Sequence, residues 1–202
     1  MSTEDLGSEM EAKCPVCESE NTKITQKILD FPHFPQMWFY NLMCSDCHFK
    51  YNDFINLAVN EPVRYGYLAE NKDDYTSKII RSSNGTIRFP SIGAILEPGP
   101  KADGFITNIE GMLRDFQGKA KFLLRDATTE EEVSRINNFI EMIEEHIKNN
   151  LPIEIIIEDP FGNSSIIPFD QSKLKKQQLS QAEAEKLKTG LMIFGGTDRT
   201  SE

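Results

Sequence analysis

The chain has 202 residues, enough for one compact domain and a small appended module, and its 39% apolar content, with thirteen Phe, can fill a sizeable core. Its net charge of −10 disfavours nucleic acid as a partner, because proteins that bind phosphates present a basic face to them. No apolar run approaches the roughly eighteen residues of a membrane span, and Met1 to Glu11 lacks the basic start and apolar centre of a signal peptide, so the expectation is a soluble, cytoplasmic protein.

Residues 1–13 read as a flexible acidic tail. The next stretch is organised by cysteine. Cys14-Pro15-Val16-Cys17 and Cys44-Ser45-Asp46-Cys47 hold all four cysteines of the chain as two C-x-x-C pairs, 26 residues apart. Each pair makes a knuckle whose sulfurs face one point, and a long hairpin between them brings the knuckles together. Four converging thiolates suit a tetrahedral Zn²⁺, and with no open coordination position one such ion would be structural. A redox C-x-x-C would need only one pair beside a βαβ pattern, and disulfides would need an oxidising compartment. An iron–sulfur cluster also accepts four thiolates, and spacing alone does not separate it from zinc. His33 and His48 are spare once four cysteines are paired.

Between the knuckles, Lys23 to Leu29 and Met37 to Met43 read as strands, joined by Asp30-Phe31-Pro32-His33-Phe34-Pro35-Gln36, so residues 14–60 form a zinc ribbon. From Cys14 to Asn60 there are five acids against three lysines, which leaves no basic face for a nucleic acid. The hairpin is rich in apolar bulk, and one of its faces is expected to pack on the neighbouring domain. Large side chains left at the tip mark an interaction site. The candidate partner-binding residues are Phe31, His33, Phe34, Met37 and Trp38.

Residues 61–170 read as a β-domain with a helical insert at about 106–150. Val63 to Ala69, Ser77 to Ser82, Thr86 to Phe89 and Ser91 to Leu96 are strand-like, and Asn84-Gly85 predicts a hairpin turn between the second and third. Thr107 with Glu110, and Thr129 with Glu132, predict two helix starts by the capping-box pattern. Ile109, Met112, Leu113, Phe116, Ala120 and Leu123 share one helical face, and Val133, Ile136, Ile140, Ile143 and Ile147 continue the pattern in a second helix. The acids of that second helix, Glu130, Glu131, Glu141, Glu144 and Glu145, form a solvated outer face. Ile153 to Glu158 and Ser164 to Phe169 read as strands around the turn Asp159-Pro160-Phe161-Gly162-Asn163. Residues 171–202 read as a polar tail, weakly helical from Leu174 to Lys188 and ending in the apolar patch Leu191-Met192-Ile193-Phe194. The three histidines, two in the ribbon and one on a helix, make no catalytic constellation. An enzyme is therefore not expected, and no catalytic residue is singled out.

Several of these stretches together resemble the ZPR-type zinc-finger proteins, in a single-copy, archaeal-type form. They are the two knuckles, Asp30-Phe31-Pro32-His33-Phe34, Lys78-Ile79-Ile80-Arg81-Ser82, Thr107-Asn108-Ile109-Glu110-Gly111-Met112-Leu113 and Asp159-Pro160-Phe161-Gly162-Asn163-Ser164. The chain departs from the pattern after the last cysteine, where His48-Phe49 replaces Gly-Tyr, and at Ser77, where Arg is usual. The resemblance implies a mainly β fold with an α insert. A four-cysteine zinc ribbon is joined to a small double-stranded β-helix-like domain carrying a helical hairpin. It also implies a protein-binding role, as a partner or folding chaperone of translation elongation factor 1-alpha. A nucleic-acid-binding zinc ribbon and an enzyme on a β-helix scaffold are the alternatives.

Overall fold

The computed structural model describes residues 2–5 as backbone and residues 12–31, 35–58 and 61–190 in full. Ser2–Asp5 (β1), Thr22–Asp30 (β2), Met37–Cys44 (β3) and Lys50–Asn56 (β4) form one antiparallel sheet in that order. The expected two-stranded ribbon thus gains a strand on each side. β1 lies within the acidic tail and pairs Ser2 with Asp30 through Asp5 with Lys27. The expectation of a wholly flexible tail is corrected there, because backbone pairing asks little of side-chain polarity.

Strand alternation divides the ribbon sheet. Ile24, Leu42 and Tyr51 align across one face, and Gln26, Tyr40 and Asp53 lie beside them. Leu29, Met37, Phe39 and Phe54 occupy the other face and pack around Ile80.

The second unit contains Val63–Ala69 (β5), Lys78–Arg81 (β6), Thr86–Phe89 (β7), Ala94–Leu96 (β8) and Phe105–Asn108 (β9). Two helices follow, Ile109–Leu123 (α1) and Glu130–Asn149 (α2). The chain continues through Ile153–Asp159 (β10), Ser165–Ile167 (β11), Lys175–Gln178 (β12) and the short helix Gln181–Ala184 (α3). Two sheets result, in the orders β12-β5-β10-β7-β8 and β11-β6-β9. Tyr67, Ile79, Ile87, Phe89, Ile153, Ile155, Ile157 and Ile166 fill the space between them, closed by Ile109, Met112 and Leu113 of α1 and Ile143 of α2. This is the β-domain with a helical hairpin that the strand–helix–strand pattern predicts.

The central strand of the three-stranded sheet, β6, is buried on both faces. Ile79 and Ile166, a cross-strand pair, enter the domain core, while Ile80 and Ile167 meet the ribbon. The adjacent pair Ile79-Ile80 in β6 places one apolar side chain on each face.

Three local expectations are corrected. The Asn84-Gly85 turn does not close a hairpin, since β6 and β7 belong to different sheets. A hairpin turn of the Asn-Gly type needs positive φ at both central residues, and neither has it. Thr107 is not the cap of α1, because it is paired with Ile79 in β9. Asn108 caps instead, its side chain accepting the Gly111 N–H at 2.7 Å. The weak helix expected over Leu174 to Lys188 is a strand followed by a single helical turn. Lys175 to Gln178 are all exposed, and such an edge strand is held by its backbone bonds to β5. The patch at Leu191 to Phe194 lies outside the described residues. Thr129 and Glu132 do form the predicted capping box on α2.

The polar tail is fastened by a buried ion pair. Asp74, 1% exposed, accepts from Lys173 Nζ at 2.7 Å, Tyr67 Oη at 2.6 Å and the Glu70 N–H at 2.9 Å. Burial pushes the Asp74 carboxyl up, and these donors, Lys173 foremost, more than reverse it, leaving it below its usual range. The stability it contributes is therefore present above the unfolded carboxylate value and is lost as pH falls through the lower folded one. Lys173→Met should cost about 3 kcal/mol by leaving a buried charge unpaired. It should also move acid unfolding to higher pH, because burial then acts on Asp74 without its strongest opponent. Urea unfolding followed across an acid pH series checks both.

Candidate metal centre

The two knuckles are built alike. Cys14 N donates to Ser19 O and Cys44 N donates to Phe49 O, each bond 2.9 Å long and spanning five residues. The residue after each second cysteine, Glu18 or His48, turns the chain at φ +59°. That left-handed conformation suits glycine and costs other residues roughly 1–2 kcal/mol. The departure noted at His48 thus falls at a position of backbone strain.

A polar clip locks one knuckle to the other. Asp46 accepts from Ser19 Oγ at 2.5 Å and from Asn21 Nδ2 at 3.2 and 3.1 Å, while Ser45 N donates to Asn21 O. The Ser19 and Asn21 donors hold the Asp46 carboxyl below its usual range. This clip was not foreseen from sequence, since Ser19 and Asn21 follow the first cysteine pair while Asp46 lies inside the second.

The predicted ligands come together. The four Sγ atoms of Cys14, Cys17, Cys44 and Cys47 all lie within 4.8 Å of one another. Cys14 and Cys47 are 3.5 Å apart, Cys17 and Cys44 3.6 Å. A tetrahedron with metal–sulfur bonds of about 2.3 Å has edges of about 3.8 Å, so one ion fits the spacing. Cys14 and Cys44 are buried, and Cys17 and Cys47 lie nearer solvent.

The thiols influence one another. Burial pushes Cys14 up, but the Cys17 and Val16 N–H groups at its sulfur outweigh that and bring it to about 7. The Ser19 N–H pulls Cys17 down, yet its sulfur neighbours, Cys47 foremost, and burial drive it up to about 12. Cys47 is likewise raised, by burial and by Cys14 and Cys44, against the Phe49 N–H. One sulfur is thus ready to ionise while its neighbours resist. A divalent cation relieves that conflict by taking all four as thiolates with release of protons.

The predicted partner surface is only partly brought together. Phe31 and Met37 are 4% and 2% exposed and pack around Ile80 with Leu29 and Phe54. For these two the expectation of an exposed apolar surface is corrected. Hairpin alternation places them on the face that covers the second unit. Trp38, on the other face, is half-buried, with its ring 5.3 Å from Tyr40. His33 and Phe34 lie outside the described residues. His48 is exposed, and the cluster around the four sulfurs does not include it.

A four-cysteine ribbon set on a two-sheet β-domain with a helical hairpin defines a protein of zinc-finger type with a jelly-roll body. A model of the ZPR1 jelly-roll domain matches residues 73–191. An uncharacterized ZPR1-like protein of Methanocaldococcus jannaschii is 34% identical across 90% of this chain and 90% of its own length. The human zinc finger protein ZPR1 is 24% identical over 93% of this chain, which spans 43% of that longer protein. A zinc finger chaperone of Schizosaccharomyces pombe is 24% identical over 76% of the chain and 34% of its own length. The chain belongs to the ZPR1 family.

Two outcomes test this centre. Cys44→Ser should abolish stoichiometric metal in elemental analysis, and amide exchange should show the knuckles opening while β10 stays protected. His48→Gly should retain the metal and raise stability by about 0.5–1 kcal/mol, the relief of left-handed strain less the entropy glycine adds to the unfolded chain. Thermal unfolding of the metal-loaded protein checks the sign.

Proposed function

We propose that this chain is a zinc-stapled protein-binding factor that assists folding of the archaeal counterpart of translation elongation factor 1-alpha. The convergence of the four cysteine sulfurs carries the reading, and it accords with relatives named for a zinc finger. Zinc suits an all-thiolate tetrahedral set. A multi-iron cluster spreads its thiolates over separate irons and would want them farther apart than these. One structural Zn²⁺ is therefore proposed, held by Cys14, Cys17, Cys44 and Cys47. The chaperone role is supported by the name of the fission-yeast relative, a zinc finger chaperone, and the elongation factor by the family resemblance of the motifs.

Contact with the partner is assigned to the ribbon finger. His33, Phe34 and Trp38 are its proposed contact residues, and Phe31 and Met37 anchor the hairpin to Ile80. Phe122 and Leu123, 61% and 58% exposed at the end of α1, offer a second apolar contact. Among the described residues no helix is long and apolar enough to cross a membrane, which accords with a role in the cytoplasm.

The test is capture of purified archaeal elongation factor 1-alpha by the zinc-loaded chain, in GTP, in GDP and during refolding. Wild type should retain the factor, Phe34→Ala should weaken retention at least about tenfold, the loss of a hot-spot side chain, and Cys44→Ser should abolish it. Absence of binding by wild type at low salt in every state would end this reading.

A further inference from the structure

The last described stretch of the chain is a strap that ends at the junction between ribbon and jelly roll. Leu179, 3% exposed, starts it, its N–H donating to Pro62 O at 2.9 Å. Glu183 meets Arg64 at 3.5 Å on β5, and Lys188 meets Glu97 at 2.6 Å just beyond β8. The strap therefore runs from one side of the five-stranded sheet to the other. It finishes at Gly190, whose N–H donates to Asn84 Oδ1 at 2.8 Å.

Gly190 is seated by shape as well as by that bond. A Cβ at this position would lie 2.7 Å from Ser83 O and 3.4 Å from the Ala102 Cβ. Only glycine approaches backbone so closely without displacing it.

From Asn84 an unbroken hydrogen-bond relay continues into the ribbon. Asn84 Nδ2 donates to Ser83 Oγ at 3.0 Å, and Ser83 Oγ donates to Asp53 Oδ2 at 2.5 Å. Ser83 N donates to Asp53 Oδ1 at 2.7 Å, and Tyr51 Oη donates to Asp53 Oδ2 at 3.0 Å. Asp53, Ser83 and Asn84 are 5%, 0% and 1% exposed. Water does not readily replace bonds at such depth, so losing one member weakens the next.

We infer that the strap Leu179–Gly190 is a latch for the ribbon. With Gly190 seated, the Ser83–Asn84 turn is held in the shape that grips Asp53, and ribbon and jelly roll move as one body. With Gly190 withdrawn, that grip loosens: the ribbon keeps its apolar seat on Ile80 and its bonds at Asn52 and Asn56, while its Asp53 contact is free to open. Anything that engages the strap thereby sets the freedom of that contact. The latch does not depend on the identity of the finger's partner.

Amide hydrogen exchange of the full, zinc-loaded chain tests the latch from both ends. Gly190→Val, whose side chain collides with Ser83 O, should quicken exchange of the Ser83 amide at least about fivefold, the lower range of inter-site coupling. The Ile155 amide in β10 should not change. Coupling is reciprocal, so Ser83→Ala, which keeps the Ser83 N–H but removes the relay hydroxyl, should quicken the Gly190 amide by a similar factor. An unchanged Ser83 amide in Gly190→Val, or an unchanged Gly190 amide in Ser83→Ala, overturns the proposal. Should Gly190→Val also release Ile155 by unfolding the domain, the chain ending at Lys188 replaces it, judged by the Ser83 and Ile155 amides.

Discussion

Four sulfurs held within 4.8 Å impose the constraint on which the ribbon depends. The knuckle loops carry little apolar surface of their own, and Val16 at the first is 60% exposed, so hydrophobic burial does not close them. Closing a loop of 26 residues between the pairs opposes their meeting by about 3 kcal/mol of chain entropy, and mutual repulsion of thiolates adds to it. The Asp46 clip and the shared backbone pattern bring the knuckles near each other. A metal ion held by the four cysteines would supply the remainder, and β2 and β3 carry that order away from the sulfurs.

The finger is then aimed by what lies beneath it. Ile80 and Ile167 turn outward from a sheet whose other face is already core, so the jelly roll offers the ribbon an apolar seat. Polar pairing sets the register of that seat. Gly104 N donates to Asn52 O at 2.7 Å and Asn56 N donates to Asn163 Oδ1 at 3.1 Å, tying both ends of β4 to the second unit. Gly162, at φ +70°, lets the Asp159–Asn163 turn approach so closely that a Cβ there would lie 2.4 Å from Glu61 O. Apolar contact supplies adhesion and these directed bonds supply orientation, which together make a rigid mount for the metal-bearing end.

The four-cysteine cluster was legible because cysteine spacing is itself geometry: two short knuckles can converge in few ways. The capping box of α2 was legible for the same local reason. β4 was not, because Tyr51, Asp53 and Phe54 are buried on opposite faces by different neighbours, and the polar members break any two-residue pattern. Asp53 alone would argue for a loop, and only its four donors in the folded chain explain its place in a strand. The Asn84-Gly85 turn misled because it links two sheets. Its side chains face the junction, a tertiary fact that no local propensity encodes. Phe31 and Met37 misled in the opposite sense, since an apolar residue near a tip reads as exposed until its seat is seen.

The outermost strand, Lys175 to Gln178, has a bearing on how molecules of this protein meet each other. A sheet edge with vacant backbone groups is a template for another chain. Here that margin carries Lys175-Lys176 and two glutamines, all turned to solvent. A second molecule docking edge to edge would strip the hydration of these lysines, and a parallel, in-register approach would also bring ammonium groups against ammonium groups. The residues that look least informative in the sequence are thus suited to keeping a jelly roll from polymerising through its own margin.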